Sequence, residues 1–178
     1  ADLVQGNAFQ PDAWRRFFVG AMVSNYGKSV TNWEIVPPAD LDPRHPESPF
    51  RYVQLLTLAH KAARDANAAA RAGISIANYD LEFLDATLRD GAVGQFDFVS
   101  LSPFPVSSGT DHLLPGALAA VRKLMTLHGL PAEMPVHITL TGSESELIAA
   151  AATARSGGFD KVFIEASAET LAGIPEDS

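Results

Sequence analysis

Cysteine is absent from the 178 residues, which excludes disulfides, cysteine-ligated zinc and thiol nucleophiles. The absence leaves the compartment open, because a chain of this length buries enough core to fold without covalent staples. Basic residues are few and scattered, with 13 Lys and Arg against 21 Asp and Glu for a net charge of −8. A phosphate-backbone partner needs a concentrated positive surface, so no nucleic-acid partner is expected. No stretch approaches the roughly 20 apolar residues that cross a bilayer, so no membrane insertion is expected. No charged-then-apolar leader opens the sequence, although a mature or excised segment would have lost one. G-x-G-x-x-G and G-x-x-x-x-G-K-[ST] are both missing, which counts against a nucleotide site. What remains, 47% apolar and 19% charged residues, is the composition of an ordinary folded domain.

The order of apolar patterns carries the fold. Pro11-Asp12 opens a stretch in which Trp14, Phe17, Phe18, Ala21 and Met22 share a helical face, closed by Gly27. Val30 to Val36 is β-rich and stops at Pro37-Pro38, and a polar, proline-rich loop follows to about Pro49. Phe50 to about Ala72 has helical spacing, with Tyr52, Leu55, Leu56, Ala59, Ala62, Ala63 and Ala66 on one side, and Gly73 ends it. Ile74–Ala77 then predicts a strand, Leu81–Leu88 a helix, Phe96–Leu101 a strand and Leu114–Leu127 a helix. Val136–Leu140 predicts a strand, Glu144–Arg155 a helix and Lys161–Ile164 a last strand. Short apolar strands alternating with crossover helices make an α/β fold with about five parallel strands. The pattern admits an open doubly wound sheet or part of an eight-stranded barrel. Long proline-rich loops after the first and third strands suit the barrel, whose active face is built from such loops. The βα unit is the only repeat, and no linker divides residues 1–178 into separate domains.

Trp14-Arg15-Arg16-Phe17 through Tyr26-Gly27, followed by Val30-Thr31-Asn32-Trp33-Glu34-Ile35, resembles the clan A glycoside hydrolases. The likeness is to the group of β-xylosidases and bacterial exopolysaccharide glycosidases, where a helix ending in Tyr-Gly leads to a fourth strand written W-E-I-W-N-E-P-N. It continues through Phe50-Arg51-Tyr52, Leu55-Leu56 and Asp80-Leu81-Glu82-Phe83-Leu84. Phe96-Asp97-Phe98-Val99-Ser100 resembles the sixth strand, Pro135-Val136-His137-Ile138-Thr139 the seventh, and Gly158-Phe159-Asp160-Lys161-Val162-Phe163 the eighth. The resemblance implies a (β/α)8 TIM-barrel-like fold of which this chain is the C-terminal portion, strands four to eight, within a longer chain. It also implies a polysaccharide-associated protein, with an extracellular or periplasmic setting favoured. The missing N-terminal half of the barrel is a candidate partner, since an incomplete barrel leaves two unpaired edges.

Retaining hydrolysis needs two carboxyl groups about 5–5.5 Å apart, one to protonate the leaving oxygen and one to attack the sugar. Laid on the family motifs, the acid/base position is Pro38, preceded by Pro37 where an asparagine would hold the 2-hydroxyl. The nucleophile position of T-E-F-G falls on Leu140, and the histidine and tyrosine of strand six become Ser102 and Phe104. None of these can do the acids' work, so no catalytic residue is assigned. The expected function is a non-catalytic glycoside-hydrolase-like domain that binds a glycan or polysaccharide or serves as a structural module. The alternative is an active glycosidase with relocated carboxylates.

The candidate ligand-binding residues are Glu34, Asp40, Asp80, Phe104, His112 and Glu165. Each has a simpler reading beside it. Glu34 lies inside a strand, where a hydrogen-bonded structural glutamate is common. Asp40, with Asp42 and Glu47, sits in a loop that solvates acids, and Asp80 is explained by capping the next helix. Ser143-Glu144-Ser145-Glu146 reads as a cap and first turn. Glu165 ends the last strand and is the most suggestive replacement acid, but it has no partner carboxylate in sequence. Asp111-His112 follows strand six and would face the barrel mouth. The other histidines (His45, His60, His128 and His137) show no i,i+4 pair and no H-E-x-x-H, so no metal is expected, and no cofactor is implied. Ser107-Ser108-Gly109-Thr110 is not a nucleophile elbow. Trp14, on a helix's apolar face, and Trp33, within a strand, both read as core.

Overall fold

Alternation of β-branched runs with amphipathic helices produces the expected parallel sheet in the computed structural model. The structure describes residues 4–5, 8–9, 18–37, 44–45, 48–107, 109 and 111–165. A short antiparallel pair, β1 (Val4–Gln5) with β2 (Ala8–Phe9), precedes the region where the sequence predicts only a helix. That helix is described from Phe18, as a π-helical turn Phe18–Val23 continuing into α1 (Ser24–Tyr26); Trp14 and Phe17 lie outside the described residues. Then come β3 (Asn32–Ile35), α2 (Ser48–Ala66), β4 (Arg71–Ile76), α3 (Leu81–Thr87) and β5 (Phe98–Pro105). The chain continues with α4 (Leu114–Leu127), β6 (Val136–Thr141), α5 (Glu144–Gly157) and β7 (Lys161–Glu165). The strands form one parallel sheet in the order β3-β4-β5-β6-β7, with helices between successive strands. Sequential order with helical crossovers is what right-handed βαβ units give.

Two boundaries differ from expectation for physical reasons. Helix α2 ends at Ala66, not near Ala72, although the intervening residues are alanine-rich. Asn67 breaks it: its Nδ2 donates to the Gly27 carbonyl at 2.6 Å and its Oδ1 accepts from Ala69 N at 2.9 Å. Local side-chain bonds of this kind compete with the helix, and they free Arg71–Ile74 to pair with Asn32–Ile35. Strand β5 runs on to Pro105, past a register shift between Leu101 and Phe104.

The described chain divides into two compact units, residues 1–74 with 86–97, and residues 75–85 with 98–178. In the first, strand alternation gives two unlike sides. Trp33 and Ile35 pair with Ala72 and Ile74, and all four are buried beneath the apolar stripe of α2, whose Tyr52 hydroxyl donates to the Ile35 carbonyl at 2.5 Å. Asn32 and Glu34 point to the opposite side, opposite Arg71 and Gly73, and are half-buried. The second unit repeats the division. Val99, Leu101, Val136, Ile138 and Leu140 are fully buried, and the apolar faces of α4 (Leu114, Ala117, Leu118, Val121 and Met125) and α5 (Leu147, Ala150 and Ala154) supply their cover. Burying such side chains is the main stabilising term, about 1.5–3 kcal/mol each. The other side carries Phe98, Ser100, His137, Thr139, Thr141, Phe163 and Glu165.

Each unit carries the same brace at the N-terminal edge of its strands, a repeat larger than the βα unit. Asp97 N donates to Ala72 O at 2.7 Å, while its carboxylate accepts from Ala72 N at 2.9 Å and from Arg64. Asp160 N donates to Val136 O at 2.9 Å, while its carboxylate accepts from Val136 N at 2.8 Å and from Arg122 at 3.1 Å. In both, a buried phenylalanine (Phe96 or Phe159) precedes the aspartate, and the arginine comes from the helix before the braced strand. The paired N–H and C=O account for a strand-start residue whose groups would otherwise be unmet.

Candidate functional site

Parallel strands end together, and ligands of parallel α/β sheets bind beyond those carboxyl ends. In the second unit the register brings Pro105 of β5 opposite Thr141 of β6, and Thr141 opposite Glu165 of β7. Glu165 is exposed there. Behind it, on the same polar side, a ladder of Ser100, His137, Thr139 and Phe163 runs toward the strand starts. His137 is buried, its ring stacked on Phe98 with centroids 4.3 Å apart and meeting Phe163 edge-on at 6.1 Å. Phe163 itself is 46% exposed. Hydroxyl, imidazole and aromatic groups thus share one side of these strands, opposite the aliphatic Val99, Leu101, Val136, Ile138 and Leu140.

Leu140 departs from the role that the family motif suggests. It is fully buried and shares the helix-covered side with Val136 and Ile138. The residues on the polar side at that level are Thr139 and Thr141. A reacting acid would have to project from the polar side, so the motif laid on Leu140 is out of step with the pleat by one residue. The chemical result is unchanged, because neither threonine is a carboxylate. The other degenerate position, Pro38, and the candidate Asp40 lie outside the described residues, as do Asp42 and Glu47.

Asp80 is a helix cap: its Oδ1 accepts from Phe83 N at 2.9 Å at the start of α3. Glu146 is similarly committed, its Oε2 accepting from Ser143 N at 3.1 Å and from Ser143 Oγ at 2.5 Å at the start of α5. Glu144 is exposed in that first turn, where a negative charge suits the helix N-terminus. His112 is exposed in the 3-10 turn Asp111–Leu113. Phe104 is half-buried just past the β5 register shift, and Glu34 is half-buried on the polar side of the first unit. Of the second unit's candidates, Phe104 is level with Leu140 and Ile164, one residue before Glu165, and Asp80 is tied to its helix.

Sequence reasoning missed Tyr79. It sits in the 3-10 turn Ala77–Tyr79 after β4, with positive φ at both Asn78 (51°) and Tyr79 (58°). Its ring meets Phe104 edge-on, centroids 6.1 Å apart and planes at 62°. Burial pushes its phenol above the ordinary value of 10.0. The only advance signal was an Asn-Tyr-Asp run directly after a strand.

Elsewhere, His128 Nε2 pairs with Asp85 Oδ1 at 2.7 Å, joining the end of α4 to α3. His60 Nε2 lies 3.4 Å from Asp97 Oδ2, near enough for attraction when protonated but not aligned for a hydrogen bond. Among the described residues no group of three or more His, Asp or Glu could hold a metal ion, and no helix is long and apolar enough to cross a membrane. An open apolar groove of about 560 Å³ runs between α3 and α4, lined by Leu81, Leu124 and Leu127 among others. Comparison with models of known protein families finds no match, and comparison with curated proteins finds none either.

Proposed function

We propose that this chain is a non-catalytic, sugar-binding domain of the barrel type found in clan A glycoside hydrolases, with the polar side of its sheet as the binding surface. One observation supports this most. On the polar side of β5, β6 and β7 the only carboxylate is Glu165, among serine, threonine, histidine and phenylalanine side chains. Hydroxyl-directed groups beside aromatic rings suit a saccharide, which presents hydroxyls at its rim and C–H groups on its faces. A retaining pair needs a second carboxyl about 5–5.5 Å away. Of the described acids at the strand ends of this unit, Asp80 and Glu146 are bound into helix caps and Glu144 lies exposed in the first turn of α5. The barrel reading further requires three more βα units closing between the edges of β7 and β3, in the same longer chain or in a second one.

The test is an amide NMR titration of the chain with cellohexaose and xylohexaose, together with an assay for released reducing ends. Shifts at Thr139, Thr141, Phe163, Glu165 and their neighbours, without new reducing ends, are expected. Hydrolysis that disappears in Glu165→Gln would instead establish an enzyme with relocated acids.

A further inference from the structure

The turn after β4 is costly to hold. Left-handed backbone is tolerated by Asn78 but is uncommon for a bulky aromatic residue such as Tyr79. Strained conformations persist where surrounding structure over-determines them, and they gather at binding sites. Across from this turn, β5 breaks register between Leu101 and Phe104, and the ring of Phe104 is what Tyr79 meets. Two irregularities of the backbone therefore converge on one aromatic pair at the carboxyl end of the strands. Both rings are half-buried. Their edge-on contact leaves the face of one ring uncovered by its partner. Among the described residues, nothing hydrogen-bonds the Tyr79 hydroxyl, although burial partly removes it from water.

We propose that Tyr79 and Phe104 form an aromatic subsite for one ring of a neutral saccharide, with the Tyr79 hydroxyl as its hydrogen-bonding group. The inference rests on the sugar-binding reading above and deepens it by naming the residues and the charge of the ligand. Neutrality follows from the surroundings. Among the described residues of the second unit, the turns and strand ends at this edge include Asp80, Glu144 and Glu165 but no Lys or Arg. An anionic glycan would meet uncompensated negative charge there. A neutral sugar needs no counter-charge; it needs a ring face to stack on and a hydroxyl to bond, and the pair supplies both.

The experiment is calorimetric titration of the whole chain with cellohexaose, xylohexaose and mannohexaose, and with hexagalacturonate as the acidic counterpart. Loss of a stacking ring in Tyr79→Ala or Phe104→Ala is expected to raise Kd for the best neutral hexasaccharide about tenfold. Tyr79→Phe keeps the packing and removes only the hydroxyl, so a rise of about fourfold is expected. It also serves as the folded control should an alanine variant unfold. If Glu165→Gln weakens binding while Tyr79→Ala, Phe104→Ala and Tyr79→Phe all stay within twofold of the parent, the subsite is refuted and the sugar-binding reading stands. Hexagalacturonate binding as tightly as the neutral sugars overturns the assignment of a neutral ligand. Absence of binding by all of the neutral hexasaccharides at millimolar concentration removes the sugar-binding reading and this inference with it.

Discussion

Replacing Asp97 by alanine should destabilise the fold more than any comparable change at a polar position half open to water. The carboxylate accepts from Ala72 N at 2.9 Å, and Ala72 is fully buried, so truncation leaves a buried N–H without its side-chain partner. A buried N–H left unmet costs about 1–3 kcal/mol. Loss of the Arg64 pair adds less than about 1 kcal/mol, because that side chain is 48% exposed and its charge is screened. The expected total is about 2–3 kcal/mol. For a chain of this size that lowers the melting temperature by about 4–12 °C. Asp97→Asn keeps an oxygen for Ala72 N and should lose only about 1 kcal/mol. Thermal and urea unfolding followed by circular dichroism measure both variants, and hydrogen exchange at the Ala72 amide reports the local loss directly. An Asp97→Ala protein melting within about 2 °C of the parent, with unchanged Ala72 exchange, would show that the brace contributes nothing and that the hydrogen-bond argument is wrong.

Three further outcomes are expected. Leu140→Glu should destabilise by about 3 kcal/mol or more, because it buries a carboxylate among aliphatic side chains. Thr141→Glu, on the half-exposed polar side, should change stability by less than about 1 kcal/mol; equal urea midpoints for the two variants would contradict the assignment of sides. Glu146→Ala removes both bonds to Ser143 and should cost about 1 kcal/mol in urea unfolding, with no loss meaning that the cap is not formed in solution. The raised phenol of Tyr79 means that the folded chain holds that proton more tightly than the unfolded chain does. Its stabilising contribution is therefore complete below the unfolded value near 10.0 and is lost as pH rises through the folded value. Tyr79→Phe should accordingly flatten the alkaline fall in stability, and identical pH profiles above 10 would rule the effect out.

Element order was legible because β-branched runs such as Val136–Thr141 and amphipathic runs such as Tyr52–Ala63 have different periods, and Gly and Pro mark the joints. Where the reading failed, distant partners decided the outcome. Residues 67–73 have helical composition, but Arg71–Ile74 pair with β3, and Asn67 bonds to Gly27 across 40 positions. Local propensity holds no information about either event. The brace was half visible, since Phe-Asp occurs at Phe96-Asp97 and again at Phe159-Asp160, each before a strand. Its arginines, Arg64 and Arg122, lie more than thirty positions upstream on helices, so only the folded chain joins the parts. Tyr79 was invisible for another reason: its importance comes from a positive φ and a ring contact with Phe104, neither of which composition or spacing encodes.

The misplaced leucine shows how a motif and a pleat can disagree. Matching T-E-F-G to Thr139-Leu140-Thr141-Gly142 keeps threonine and glycine in step, yet side chains of a strand alternate sides, so a shift of one residue exchanges core for cleft. The pattern Val136, Ile138, Leu140 on one side and His137, Thr139, Thr141 on the other is internally consistent, and β7 follows it with Val162 and Ile164 opposed to Phe163 and Glu165. A carboxylate at position 140 would break that consistency wherever the ancestry of the strand lies. Absence of an acid at the carboxyl end of β6 is therefore carried by Thr139 and Thr141 rather than by Leu140. The non-catalytic reading becomes independent of how the motif is laid on the strand. It depends instead on a property that mutagenesis can address, namely that Glu165 is the one carboxylate among the described residues on the polar side of β5, β6 and β7.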